Sequence, residues 1–211
     1  MKKWLMSISI MVLGSIAQAT DVGHPEQEAK ADLEAGKAKA AVCGGCHGMD
    51  GNSAIPNYPS LAGQHPNYLE KQLKEFKENK RQDPMMVGQA QTLSDQDIIN
   101  VSAYFAQQEL APGVAKPEAI ALGEKIFRGG NPVTGVTACA ACHGPVGMGN
   151  RPAKFPRISG QKAAYTIKAL KDFRAGKRKN DINSMMQGVS ANMTDPEIEA
   201  VAEYSAGLAK E

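Results

Sequence analysis

The sequence predicts an all-α protein built from two tandem domains, each with about three main helices joined by long loops. Three observations support this fold class. An ordered set of motifs occurs twice along the 211 residues. Apolar residues recur at helical spacing in both copies, and no stretch shows the sustained alternation of a β-strand. We place the first domain at residues 20–110, a linker at 111–116 and the second domain at 117–211.

The N-terminus has the pattern of a cleaved signal peptide. Two lysines precede an apolar run from Trp4 to Ala17, which ends in an A-x-A sequence. The run is shorter than the roughly 20 apolar residues of a membrane-spanning helix, and it has the small-residue exit that signal peptidases cleave. We therefore predict that residues 1–19 are removed, that the mature chain begins at Thr20, and that it works in the periplasm.

Each domain is expected to contain three helices in the same order. The first leads into a cysteine motif, and the second carries apolar residues three and four positions apart. The third begins with a capping box, in which a Ser or Thr is followed three residues later by Asp or Glu. The predicted helices are Gln27–Ala41, Pro66–Lys80 and Ile98–Ala106 in the first domain, and Pro117–Arg128, Lys162–Lys177 and Ile198–Ala206 in the second.

The duplication is visible in three motifs whose offset between the copies grows only from 96 to 100 residues. The order of the motifs is the same in both copies, so the chain is a duplicated domain and not a short-period repeat. The motifs are Cys43-Gly-Gly-Cys46-His47 with Cys139-Ala-Ala-Cys142-His143, Pro59-x-Leu-x-Gly-Gln64 with Pro156-x-Ile-x-Gly-Gln161, and Met85-Met86 with Met185-Met186.

Two cysteines separated by two residues and followed directly by histidine are the attachment signature of c-type haem. A thioredoxin-like dithiol would need a βαβ setting, and a zinc site or two disulfides would leave the adjacent histidines unexplained. We therefore predict two covalent haem c groups. The predicted attachment residues are Cys43, Cys46, Cys139 and Cys142, and the predicted iron ligands beside them are His47 and His143.

The paired methionines are candidates for the axial ligand on the other side of each iron. A Met thioether opposite His raises the haem potential and leaves no vacant site for oxygen or peroxide. The alternative is that these methionines are flexible core filler. Their repetition in polar segments, which we expect to be loops, favours ligation by one member of each pair without choosing which. His24 and His65 have no counterpart in the other copy, and we interpret them as surface histidines.

With these duplicated motifs, the sequence resembles the dihaem cytochrome c4 family over essentially the whole mature chain. The resemblance implies two cytochrome c folds, each around one haem, related by pseudo-twofold symmetry, with the haem propionates meeting near the interface. It implies that Met86 and Met186 are the axial methionines, and that the carbonyls of Pro59 and Pro156 accept hydrogen bonds from His47 and His143. Members of the family serve as periplasmic, often membrane-associated, electron donors to terminal oxidases.

The function expected from the motifs and the resemblance is that of an electron carrier in a respiratory chain, not of an enzyme. The expected partners are an upstream redox protein and a terminal oxidase, with peripheral membrane association and with neither nucleic acid nor a small-molecule substrate. One alternative is the dihaem cytochrome subunit of a flavin-containing sulfide dehydrogenase. Another is a dihaem peroxidase, which would require one haem with an open distal side.

Charge is divided unequally between the two copies. Residues 20–110 hold 13 Asp or Glu and 8 Lys or Arg, whereas residues 111–211 hold 9 and 14. This asymmetry predicts an electric dipole and an attraction between the domains where they meet. It also suggests a basic docking face for an acidic partner in the second copy, formed by Lys168, Lys171, Arg174, Lys177, Arg178 and Lys179.

Overall fold

The computed structural model describes residues 30–111 and 113–208, which are mainly helical. The first domain contains α1 Leu33–Ala40, α2 Gly44–His47, α3 Pro66–Lys77, α4 Pro84–Gln91 and α5 Asp95–Ala106. The second contains α6 Pro117–Gly129, α7 Ala140–His143, α8 Ala163–Arg174, α9 Met185–Ala191 and α10 Asp195–Gly207. In these ranges the strand-like pairing is confined to two isolated bridges. The predicted signal peptide and His24 lie outside the described residues.

The first and last helices of each domain cross at a glycine. Helix α1 packs on α5, and α6 packs on α10. A Cβ atom at Gly36 would lie 2.3 Å from the carbonyl oxygen of Asn100, and one at Gly123 would lie 2.3 Å from that of Ala200. Because only glycine lacks a Cβ atom, it allows the helices to approach this closely. The two domains therefore share one mode of helix crossing.

The predicted capping boxes are present at the starts of α5 and α10. The Ser94 N–H donates to the Asp97 carboxylate at 2.9 Å, and the Asp97 N–H donates back to the Ser94 hydroxyl at 3.1 Å. Thr194 and Glu197 make the same exchange. These contacts satisfy N–H groups that the first turn of a helix leaves free, so the helix starts are fixed by local sequence.

The expected placement of the methionine pairs in loops is wrong, because each pair lies in a short helix. Helix α4 begins with Pro84, which suits the first position of a helix, and the Asp83 carboxylate accepts from the Met86 N–H at 3.1 Å. The second helices also end earlier than expected. Helix α3 stops at Lys77, just before Asn79 adopts a positive φ of 56°, and α8 stops before Gly176 at 63°.

The apolar cores of both domains reach the cysteine motifs. In the second domain Ile126, Phe127 and Ile198 are fully buried, and Cys139 and Met186 pack against their cluster. The first domain has a smaller cluster of Ala40, Leu69 and Phe105, against which Cys43 and Leu61 pack. Within residues 30–111 and 113–208, no helix has the length and apolar character needed to cross a membrane.

Two glutamines join the domains in a pseudo-twofold pattern. The Gln64 amide donates to the Arg157 carbonyl and accepts from the Arg157 N–H, both at 2.9 Å. The Gln161 amide makes the same pair of bonds to the backbone of Ser60, at 2.9 and 2.8 Å. Ser60 and Arg157 occupy the same position of the repeated motif. The predicted fold class, two tandem helical domains related by a pseudo-twofold axis, is therefore confirmed.

The ion pairs identified between described residues, such as Lys71–Glu75 and Lys171–Asp195, lie within one domain, and the attraction between the oppositely charged domains stays a prediction. The expectation that His65 is a surface histidine is wrong. His65 is half-buried, and its Nε2 atom is enclosed without a hydrogen-bond partner. Residues of the second domain lie near it, because the Met148 backbone and the charges of Arg151 and Arg157 affect the pKa of His65.

Candidate functional site

Each C-x-x-C-H motif folds into one turn of helix, and its histidine side chain is buried in the domain. His47 Nδ1 lies 2.8 Å from the carbonyl oxygen of Pro59, and His143 Nδ1 lies 2.8 Å from that of Pro156. The predicted contacts with the two proline carbonyls are therefore confirmed. Because a carbonyl oxygen can only accept, Nδ1 carries the proton in a neutral ring, and Nε2 keeps its lone pair for a metal.

The surroundings of these histidines favour the neutral ring. Each side chain is 8% exposed, and burial lowers the pKa of both imidazoles, although the bond to the proline carbonyl partly opposes this. Iron and a proton compete for the same nitrogen lone pair. A neutral, oriented imidazole is therefore suited to ligate iron.

None of the four cysteines forms a disulfide. Burial raises the pKa of Cys43, and it raises that of Cys139 to about 11. A redox-active dithiol normally has a lowered thiol pKa, so these pairs differ from a thioredoxin-like site. Among the described residues no group of three His, Cys, Asp or Glu side chains could hold a metal ion by itself. The cysteines are accordingly available for thioether bonds.

The two motifs open into one continuous cavity of about 1050 Å³. Two separate cavities would be expected from the sequence, because the motifs lie in different domains. Instead the proline motifs, helices α3 and α8 and the methionine pairs of both domains line a single space. Its lining combines apolar side chains with thiols, imidazoles and thioethers, a donor set that fits two haem c groups. The two cofactor positions therefore adjoin each other.

The methionine pairs differ in exposure within each pair. Met85 is 55% exposed and Met185 is 37% exposed, whereas Met86 and Met186 are half-buried, and Met186 packs against the core of its domain. Successive residues of a helix point about 100° apart, so the two members of each pair, which both line the cavity, differ in how far they are buried. This geometry favours the second member, Met86 and Met186, as the candidate ligand.

Sequence reasoning missed a cluster of arginine and tyrosine side chains in the wall of the cavity. Arg81 donates to the Tyr165 hydroxyl at 3.1 Å, and Arg178 donates to the Tyr68 hydroxyl at 3.0 Å. Arg178, which we expected on a basic docking face, is therefore half-buried at the domain boundary. The signal in the sequence was a pair of arginines repeated at the same offset as the tyrosines.

Comparisons with known proteins agree with this geometry. The family model described as cytochrome c matches residues 33–109 and again residues 120–208. A cytochrome c4 from Thiocapsa roseopersicina is 47% identical over 199 residues, which cover 93% of this chain and 99% of that protein. The chain belongs to the dihaem cytochrome c4 family. Membership means that it is an electron-transfer protein, not an enzyme, and that it carries two haem c groups.

The chain is also similar to a solved cytochrome c4 structure and to a relative that carries a different name. The crystal structure of reduced cytochrome c4 from Pseudomonas stutzeri has a TM-score of 0.83 and 46% identity, and covers 85% of this chain and 100% of its own. A protein of Stutzerimonas stutzeri named thiosulfate dehydrogenase electron acceptor is 36% identical, over 97% of this chain and 94% of its own.

Proposed function

We propose that the chain is a periplasmic dihaem cytochrome that accepts electrons from an upstream redox protein and donates them to a terminal oxidase, in peripheral association with the membrane. The observation that carries the proposal is the shared cavity, because the attachment and ligand residues of both domains line it. When bound, each haem supplies an iron that takes up and releases one electron. Adjoining positions allow an electron to enter through one domain and leave through the other.

The proposed roles of the residues follow from their positions in this cavity. Four cysteines anchor the porphyrin edges, and two histidines ligate iron through Nε2 while the proline carbonyls hold Nδ1. The inner methionines complete the coordination and exclude peroxide. The residues that would attach the haems are Cys43, Cys46, Cys139 and Cys142, and those that would ligate iron are His47, Met86, His143 and Met186.

A second candidate for the upstream partner is a thiosulfate-oxidising dehydrogenase, because a relative that aligns over nearly the whole chain is named as the electron acceptor of such an enzyme. The carrier function is the same in both cases, and only the donor changes. A flavoprotein partner, as in a sulfide dehydrogenase, would also leave the carrier role unchanged. No comparable observation favours it.

The test uses the purified holoprotein. Intact mass should equal the chain from Thr20 plus two haems with no free thiol, and the oxidised protein should show the weak far-red band of Met–iron(III) coordination. The reduced protein should be reoxidised by membranes that contain the oxidase and should be reduced by its donor. A single haem, a free thiol pair or turnover of peroxide would contradict the proposal. Reduction by thiosulfate dehydrogenase, compared with reduction by respiratory membranes, decides between the donors.

A further inference from the structure

Two arginines reach across the domain boundary in the wall of the shared cavity. Arg81 and Arg178 lie 97 residues apart, as do Tyr68 and Tyr165, so each residue type holds equivalent positions in the two domains. The Arg81 guanidinium donates to Tyr165, and the Arg178 guanidinium donates to Tyr68. Each arginine is therefore bound to the tyrosine of the other domain.

The two guanidinium groups are held close together and in fixed orientations. Arg81 stacks over the ring of Phe76, and Arg178 stacks over that of Phe173, each at 4.5 Å from the ring centroid. Both also donate to the side-chain oxygen of the buried Gln72, at 2.7 and 3.2 Å. Two positive groups thus converge on one neutral oxygen atom.

Neither Arg81 nor Arg178 is in an ion pair with a carboxylate of residues 30–111 or 113–208. The carboxylate of this hydrogen-bond network belongs to Glu75, which accepts from Asn180 but is already paired with Lys71 at 2.7 Å. Like charges held together away from bulk water are costly unless anions compensate them.

The pKa of Tyr165 is consistent with the same excess of positive charge. Burial by itself raises the pKa of the Tyr165 hydroxyl, but the charges of Arg81 and Arg178 outweigh burial and bring the pKa down to about 8. A site that stabilises a phenolate also stabilises other anions. The planar fork of a guanidinium matches a carboxylate in particular.

We propose that this cluster is a two-anion site that holds propionate carboxylates of both haems, and that each arginine raises the reduction potential of the haem in the opposite domain as well as that of its own. The inference rests on the proposed function, since it requires a haem in each half of the cavity. Reduction adds an electron to the iron centre, and a nearby cation stabilises the added negative charge. Because both guanidinium groups share Gln72 and cross to the opposite tyrosine, neither charge belongs to one domain alone.

The test is a redox titration of holoprotein variants in which the two haems are followed separately, through their own methyl resonances. Arg81→Gln and Arg178→Gln should each lower both potentials. Lys80→Gln and Lys179→Gln remove the same charge at exposed neighbouring positions and should leave both potentials unchanged. Arg81→Lys and Arg178→Lys, which keep the charge, should restore most of the shift. If each arginine variant moves only the haem of its own domain, or moves the potentials no more than its control, the inference is wrong.

A second pair of variants tests the inference if the arginine variants fold poorly. Tyr68→Phe removes the bond from Arg178 of the other domain, and Tyr165→Phe removes the bond from Arg81 together with the contact of Tyr165 with Arg178 in its own domain. Each variant should lower both potentials by less than the arginine variants do. No change in either potential would contradict the shared site. Haem content separates this inference from the proposed function. Two haems with Met–iron bands but uncoupled shifts overturn only the two-anion site, whereas fewer than two haems in the wild-type protein overturn the proposed function.

Discussion

At the scale of single residues, the clearest distinction is between the two methionines of each pair. The sequence presents them as equivalent neighbours, and a loop would let either one turn toward the iron. A short helix removes that freedom, because its geometry directs adjacent side chains to different sides. Met85 is accordingly the more exposed member of its pair and Met86 is half-buried, and the second domain shows the same order.

We predict that Met86→Ala and Met186→Ala will each lower one of the two reduction potentials and weaken the far-red band. The physical reason is that a thioether prefers the reduced iron, and each 1.4 kcal/mol of lost preference lowers a one-electron potential by about 59 mV. Optical redox titration measures the shift. Met85→Ala and Met185→Ala are the matched controls and should leave both potentials in place. A shift with Met85→Ala and none with Met86→Ala would move the proposed ligand by one position.

The residues that could be predicted are those whose chemistry is local in sequence. The cysteines and histidines stand side by side, so their motif identifies the cofactor directly. The contact between His47 and the Pro59 carbonyl could be anticipated from the repeated motif and the family resemblance. The Arg81–Tyr165 contact could not, because it depends on how two separate domains meet. His65 was misread for the same reason, since residues of the other domain lie near it.

At the scale of helices, α1 and α6 contain a glycine in their interior despite its low helix propensity. The crossings with α5 and α10 explain it, since a side chain at either position would overlap a backbone carbonyl of the facing helix. Long amphipathic helices and capping boxes were predictable because their signals repeat over several turns. Helices α4 and α9, of 8 and 7 residues, are too short to show a period and were expected to be loops.

We predict that Gly36→Ala and Gly123→Ala will each destabilise the protein by about 1–3 kcal/mol, because overpacking forces the crossing helices apart. Denaturant unfolding followed by circular dichroism measures the loss. Gly88→Ala is the matched control. Gly88 lies inside α4, and a Cβ atom there would have no neighbouring atom within 4 Å, so alanine should be neutral or stabilise by up to about 1 kcal/mol. Equal losses at Gly36 and Gly88 would contradict the explanation by close packing.

At the scale of the whole molecule, many charged side chains form ion pairs within their own domain. In the second domain, Lys168 pairs with Asp172, while Lys171 and Arg174 both pair with Asp195. These contacts neutralise much of the expected docking face from within the domain. The described contacts between the domains are hydrogen bonds, some between neutral amide and backbone groups and some from the charged Arg81 and Arg178 side chains to tyrosine hydroxyls.

We predict that the free energy of unfolding will fall as the pH drops through 6.5, and that His65→Gln will reduce this dependence. Burial and the charges of Arg151 and Arg157 lower the pKa of His65 from its usual 6.5, against a smaller opposing effect of the Met148 backbone. The folded protein therefore binds a proton less readily than the unfolded chain, so stability is complete above pH 6.5 and is lost below it. Denaturant unfolding between pH 7.5 and 5 measures the slope. An identical slope in the variant would assign the titration to another group.

The hydrogen bonds of Gln64 and Gln161 across the domain boundary affect how the sequences of the two halves can change over evolutionary time. Gln64 and Gln161 recognise only main-chain N–H and C=O groups of the opposite half, and these groups are the same whatever side chain the residue carries. Ser60 and Arg157 differ in size and charge, yet they occupy equivalent positions and make the same pair of backbone hydrogen bonds. After the ancestral gene doubled, each copy was therefore free to diverge beside the other. One half can therefore change its side chains at these positions without any matching change in the other, and the contact between the halves is kept.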